Sequence, residues 1–337
     1  MPDETPINAD RADLLVYRDD RGRERPVRDA AEWRLRREQI LASMQRVMGT
    51  LPDPAHRVPL AVETLEEARL PGFRRRRITF AAEAGDRVPA YLFLPDGVTA
   101  GAPAMLIPHP TGARGKDQPA GLVGPETTHF APQLARRGYV ALAPDYPGSG
   151  DYACDPYALG YVSATMKGVW NHIRAIDLLQ SLPEADPERI GAIGHSLGGH
   201  NSIFVAAFDP RVRAVVSSCG FNAFPKYFGG DLTGWSHRGY MPRIADVYGR
   251  DPAHMPFDFP EVIAALAPRA FFTNSPVDDD NFEVSGVRDC IAAARSVYAL
   301  LGAEERLVAA YPAAGHDFPD ETRALAYNWL DRQLRAA

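Results

Sequence analysis

The sequence predicts an α/β protein, a mostly parallel sheet covered by helices on both faces. Three observations carry that expectation. Beyond residue 104, short apolar runs alternate with amphipathic stretches of helical length. A hairpin pattern precedes the alternation, which supplies the antiparallel edge such sheets often carry. The composition is globular, with 45% hydrophobic and 24% charged residues over 337 positions. It excludes a disordered, collagenous or coiled-coil chain.

The elements follow in order. Residues 1–29 are polar and charged and read as loop or arm; the acidic start, Met1-Pro2-Asp3-Glu4-Thr5, does not read as a secretory leader, and none is expected. Residues 30–48 read as a helix, with Trp33, Ile40, Met44 and Val47 on one stripe and Gly49 just past its end. Pro52, Pro54 and Pro59 then break regular structure. Strands at 78–82 and 88–94 flank Gly85-Asp86 as a hairpin. Strands follow at 104–108, 139–144, 189–194, 212–217, 269–274 and 307–311. Helices fall between and after them at 126–137, 167–181, 197–208, 284–301 and 322–334. An irregular stretch, 221–260, separates two of the strands. A chain of this length sets a soft expectation of roughly two domains. The element pattern instead gives an N-terminal helical arm at 1–73 and one catalytic domain at 74–337, with a cap inserted at about 221–262.

A net charge of −6 gives no reason to expect a nucleic-acid partner. The longest apolar runs, such as 205–208, fall far short of the roughly 20 residues a membrane helix needs. All but three of the 37 basic residues are arginine. Cys154, Cys219 and Cys290 are odd in number and widely spaced, which fits reduced thiols in a cytoplasmic protein. No H-E-x-x-H or paired Cys/His pattern marks a metal site, and no cofactor is expected. Oligomeric state stays open, a homodimer included.

The most informative string is Gly194-His195-Ser196-Leu197-Gly198-Gly199. It is a G-x-S-x-G after an apolar strand and before a helix, the context of a nucleophile on a sharp strand-to-helix turn. A serine hydroxyl needs a base to remove its proton. His316, in Gly315-His316-Asp317, follows the strand at 307–311 and is the expected base. The third member orients the imidazole and should follow the strand at 269–274, where Asp278, Asp279 and Asp280 stand together. Phe282, as an apolar residue tucked under the next helix, favours Asp279; counting from the strand end favours Asp278. An oxyanion hole needs two backbone N–H donors. One is expected from Leu197. The other is expected from Thr111, because Pro110 in His109-Pro110-Thr111-Gly112 has no N–H.

Together these strings resemble the α/β-hydrolase superfamily, and within it the bacterial dienelactone hydrolase-like and acetyl xylan esterase-like serine esterases. Also alike are Gly138-Tyr139, Ala143-Pro144-Asp145-Tyr146 and Ala267-Pro268-Arg269. The resemblance spans about residues 74–335 and implies a Ser-His-Asp hydrolase acting on a small ester without a cofactor. Ser196 stands where true dienelactone hydrolases carry cysteine, and Leu197 stands where one deacetylase branch carries glutamine. The expected activity is carboxylic ester cleavage through an acyl-enzyme, a carbohydrate acetyl ester being one candidate substrate. Amide cleavage, acyl transfer and a non-catalytic ligand-binding role are the alternatives. The aromatic-rich cap is expected over the nucleophile, with Trp235 and Tyr240 lining the substrate pocket.

Overall fold

The structure, a computed structural model, describes residues 13–335. The expectation for the first residues of the arm lies outside the described residues. Strands β1 (Val16–Arg18) and β2 (Glu24–Pro26) form a small antiparallel ribbon ahead of helix α1 (Ala30–Met48). Strands β3 (Glu63–Leu70), β4 (Phe73–Glu83) and β5 (Asp86–Pro95) form an antiparallel meander. Strands and helices then alternate: β6 (Ala102–Leu106), α2 (Phe130–Arg136), β7 (Val140–Pro144), α3 (Ala164–Ser181), β8 (Ala185–His195), α4 (Leu197–Phe208) and β9 (Val212–Ser218). The cap contains the short helices α5 (Arg243–Asp246) and α6 (Phe259–Ala264), and the chain ends with β10 (Ala270–Asn274), α7 (Val284–Leu300), β11 (Leu307–Ala310) and α8 (Asp320–Leu334).

The main sheet is nine-stranded in the order β11-β10-β9-β8-β6-β7-β5-β4-β3. It is parallel from β11 to β7 and antiparallel from β5 to β3. From β6 the chain turns toward β7, and from β8 it turns the other way toward β9. Their carboxyl ends therefore open a crevice where the strand order reverses, the place such sheets bind ligands.

Side-chain alternation assigns the two faces. Met105, Ala141 and Ile193 pack with Phe130 and Leu134 of α2 and Trp329 and Leu330 of α8. Their sequence neighbours Leu106, Leu142 and Ala192 pack with α1, α3, α4 and α7 on the opposite face.

Three expectations are corrected. The segment before residue 74 is not a helical arm alone. Glu63–Leu70 is the edge strand of the main sheet, and β4 already begins at Phe73, so a boundary at 74 cuts through the sheet. Helix α1 belongs to the same body, with Ile40, Met44 and Val47 fully buried in the larger core. Burial of each such side chain is worth up to about 1.5–3 kcal/mol. The expected helix at 126–137 is a single turn at Glu126–Thr128 followed by α2. Pro132 has no N–H to donate and fits only the first turn of a helix, which places the start of α2 close before it. Helix α3 starts earlier than 167 because Ser163 caps it: its Oγ accepts the Met166 N–H (3.0 Å) and donates to the Met48 carbonyl (2.6 Å), tying α3 to the end of α1.

Buried ion pairs fasten loops to this frame. Lys116 Nζ lies 2.7 Å from both Asp145 and Asp151, and the Lys116 N–H donates to Asp145 Oδ1 (2.8 Å). Lys167 on α3 pairs with Glu83 and with Asp86 (2.6 Å) at the tip of the β4–β5 hairpin. The third lysine, Lys226 in the cap, is partly exposed and pairs with Asp289. Arg36 on α1 meets Glu261 on α6 at 2.5 Å, with side-chain exposures of 1% and 6%.

Removing one partner of a buried pair leaves an uncompensated charge, typically at a cost of about 3–5 kcal/mol. Glu261→Ala is therefore expected to lower the unfolding free energy by about that amount in urea titrations followed by tryptophan fluorescence. A loss below about 1 kcal/mol, the usual value of a solvent-exposed pair, would refute it.

Candidate active site

Strand β8 enters α4 through Ser196, whose φ of 55° and ψ of −122° are sparsely populated for a residue with a side chain. Two glycines allow the turn. A Cβ on Gly194 would stand 2.3 Å from the Gly198 carbonyl oxygen, and one on Gly198 would stand 2.2 Å from that of Pro108. The first turn of α4 thus approaches the end of β6 more closely than any side chain permits. The Ser196 N–H donates to the Ser218 carbonyl (2.8 Å), which locks the turn onto β9. Ser196 occupies the N-cap position of α4, where the helix dipole favours negative charge.

Sheet register brings the other candidates to the same rim. His195 pairs with Ser218, Ser218 with Asn274, and Asn274 with Ala310, all in parallel strands. The segments that follow these residues leave the sheet on one edge. There His316 Nδ1 lies 3.0 and 3.1 Å from the two carboxylate oxygens of Asp279. The backbone N–H groups of Asn281 and Phe282 also donate to Asp279 Oδ1, at 2.9 and 3.0 Å. Burial pushes the Asp279 pKa up, but hydrogen bonds from His316 and these two N–H groups outweigh it and hold the carboxyl below the usual range. Asp279 is therefore ionised. Of the two acids left open by the sequence, Asp279 meets the ring; Asp278 is exposed and its N–H donates to the Ala314 carbonyl.

With a carboxylate at Nδ1, the imidazole keeps its proton there and presents the Nε2 lone pair, the form a general base requires. The ring of His316 packs 4.7 Å from that of His195 and 5.8 Å from Phe282. His195 in turn contacts Ser218 Oγ at 3.0 Å, and Asn274 donates to the same oxygen (2.9 Å) and to the Asp317 carbonyl (2.9 Å).

The loop after β6 is set by His109, which is almost wholly buried. The Tyr146 N–H donates to its Nε2 (2.9 Å), so Nδ1 carries the proton and donates to the Pro110 carbonyl (2.7 Å). In a trans peptide, carbonyl and N–H point opposite ways. The Thr111 N–H is consequently directed away from His109. Thr111, Ser196, Leu197, Tyr227, Trp235 and Tyr240 line one cavity of about 60 Å³. A larger cavity of about 350 Å³, beside Gly49, Glu83 and Tyr161, shares none of these residues and none of the chemistry.

The cap both packs on itself and roofs this cavity. Trp235 is buried among Phe224, Tyr227, Phe259 and Phe282, with ring centroids 5.3–6.2 Å away. Tyr240 packs against the cluster of Tyr146, Ala164 and Leu197, and its hydroxyl is 2.7 Å from Thr111 Oγ1. His195, Ser218, Asn274 and the bridging role of His109 escape sequence reasoning, because each acts through a partner distant in the chain. Among the described residues, Cys219, Asp279 and His316 bring a thiol, a carboxylate and a ring nitrogen within 4.8 Å of one another. Asp279 and His316 engage those atoms with each other, and burial pushes the Cys219 thiol pKa well up, so this donor set does not favour a cation.

Residues 88–227 match the dienelactone hydrolase family. The protein YtaP of Bacillus subtilis (strain 168), whose hydrolase designation is provisional, is 28% identical over 313 residues, covering 89% of this chain and 99% of its own. A glucuronoyl esterase from Solibacter usitatus superposes with a TM-score of 0.73 at 21% identity, covering 96% of this chain and 97% of its own. A CE15 glucuronoyl esterase from Teredinibacter turnerae T7901 also superposes at 0.73, with 15% identity and coverage of 98% and 89%. The fold is that of the α/β-hydrolases.

The buried histidines around this site set an acid limit. Burial depresses the pKa of His172, His195 and His200 to about 3 each, and lowers that of His109. In the unfolded chain a histidine titrates near 6.5. Below about pH 6.5 the unfolded state therefore binds more protons than the folded one, and stability falls as pH drops toward 3. The urea midpoint is expected to decrease steadily from about pH 6.5 downward. An unchanged midpoint at about pH 4.5 would contradict neutral, buried imidazoles.

Proposed function

We propose that this protein is a serine hydrolase that cleaves small carboxylic esters through an acyl-enzyme. The observation that carries the reading is the His316–Asp279 hydrogen bond, on the same sheet edge as the strained Ser196. In this reading His316 Nε2 removes the Ser196 proton as Oγ attacks the ester carbonyl. The carbonyl oxygen becomes an oxyanion, held by the N–H groups of Leu197 and Thr111. Collapse breaks the ester bond, and the imidazolium, stabilised by Asp279, returns the proton to the leaving alcohol. A water then attacks the acyl-enzyme with His316 again as base, releasing the acid and restoring Ser196.

The hydrolase and esterase names of the similar proteins support this reading. The cavity beside Ser196 is small, about 60 Å³, which favours a short acyl group such as acetyl. Three free cysteines, two of them buried, fit a cytoplasmic setting. Among the described residues no helix is long and apolar enough to cross a membrane.

A panel of p-nitrophenyl esters, acetylated sugars and a glucuronoyl ester tests the reading. Short acyl esters are expected to turn over, and a fluorophosphonate probe is expected to label Ser196. Ser196→Ala and His316→Ala should each lower kcat by about 10⁴-fold or more, and Asp279→Asn by about 10⁴-fold. Asp278→Asn should stay within about twofold, because its side chain is exposed and does not meet the ring. Ester turnover unaffected by Ser196→Ala would overturn the mechanism, and turnover of amides in place of esters would overturn the substrate class.

A further inference from the structure

We propose that the hydroxyl of Thr111 is a third donor to the oxyanion, held and polarised by Tyr240 from the cap. The inference rests on the hydrolase reading above and adds a side-chain donor to the two backbone groups already assigned.

Thr111 Oγ1 and Tyr240 OH lie 2.7 Å apart. Between them they carry two protons, and the bond uses one. Among the described residues neither hydroxyl has a second hydrogen-bond partner, so one O–H remains to donate. A phenol is the stronger acid and an aliphatic hydroxyl the stronger acceptor. Tyr240 therefore donates to Thr111, and the free proton sits on Thr111 Oγ1. Accepting the phenol proton strengthens Thr111 as a donor in turn, through the cooperativity of linked hydrogen bonds.

The surroundings hold this arrangement. Tyr240 packs on the cluster of Tyr146, Ala164 and Leu197, and its ring lies 4.3 Å from that of His237 and 5.9 Å from that of His200. Its carbonyl accepts the Thr165 N–H at 3.3 Å. Burial raises the Tyr240 pKa, which keeps the phenol protonated at neutral pH. Both residues line the cavity that contains Ser196 and Leu197. No proton is transferred: the Thr111 O–H bond to the substrate oxygen tightens as that oxygen gains charge and relaxes when the tetrahedral intermediate collapses. Thr111 is then a catalytic residue through its side chain as well as its N–H, and Tyr240 is a positioning residue.

The test compares wild type, Thr111→Ser, Thr111→Val and Tyr240→Phe on an ester whose turnover Ser196→Ala abolishes. Thr111→Val keeps the backbone donor and the side-chain shape but removes the hydroxyl. It is expected to lower kcat about 10–100-fold with KM within about threefold, and to weaken binding of an alkyl boronic acid, a tetrahedral mimic, by the same factor. Tyr240→Phe should lower kcat about 3–10-fold, also without raising KM, because it removes polarisation but leaves the Thr111 hydroxyl. Thr111→Ser should retain kcat within about threefold, since it restores the hydroxyl. Wild-type kcat in Thr111→Val, a loss confined to KM, or an equal loss in Thr111→Ser would each overturn the proposal. If Tyr240→Phe unfolds, the Thr111 pair decides alone. Absence of Ser196-dependent turnover in the wild type overturns the hydrolase reading, and this proposal with it.

Discussion

The site depends on one close approach, that of the first turn of α4 to the end of β6. Gly198 lies so near the Pro108 carbonyl that no side chain fits between them. That contact sets the distance between the strand that ends in Ser196 and the loop that carries Thr111. It also leaves Ser196 in a backbone conformation that only its surroundings can hold. The strain is met by the Ser196 N–H bond to β9 and by the hydrogen-bonded helix that follows. Ser196 and the Thr111 loop, the nucleophile and oxyanion loop proposed above, are thus placed by backbone packing, before any side chain is considered.

Around that contact several polar groups hold one another in place. His109 fixes one peptide plane by accepting on one ring nitrogen and donating on the other. Asp145 accepts the Lys116 and Asp151 N–H groups while pairing with the Lys116 ammonium, so the two loops beside the site are joined at one carboxylate. Ser218 and Asn274 support the floor below His195 and Asp317. Groups fixed before substrate arrives need no reorganisation as charge develops, which is the main advantage of a preformed site over water.

Much of this was legible in the chain because glycine spacing and strand–helix alternation are local. The elbow at 194–199, the His316 loop and the acidic turn could all be located that way. The choice between Asp278 and Asp279 could not. It depends on a turn in which the N–H groups of Asn281 and Phe282 close back on one carboxylate. Strand β3 was missed because half of its residues, Glu63 to Leu70, are charged and most are exposed, and an edge strand with little buried face shows no apolar alternation. The Thr111–Tyr240 pair is separated by 129 positions and exists only because the cap folds back over the β6 loop.

The lysines have a consequence outside catalysis. Two of the three are spent as buried counter-ions, Lys116 at 1% exposure and Lys167 at 0%, while Lys226 stands 40% exposed on the cap. Among the side-chain amines, an acylating dye or an activated resin meets one reactive handle. Attachment there would place a fluorophore, or a tether to a surface, on the cap rather than on the cavity floor that carries Ser196.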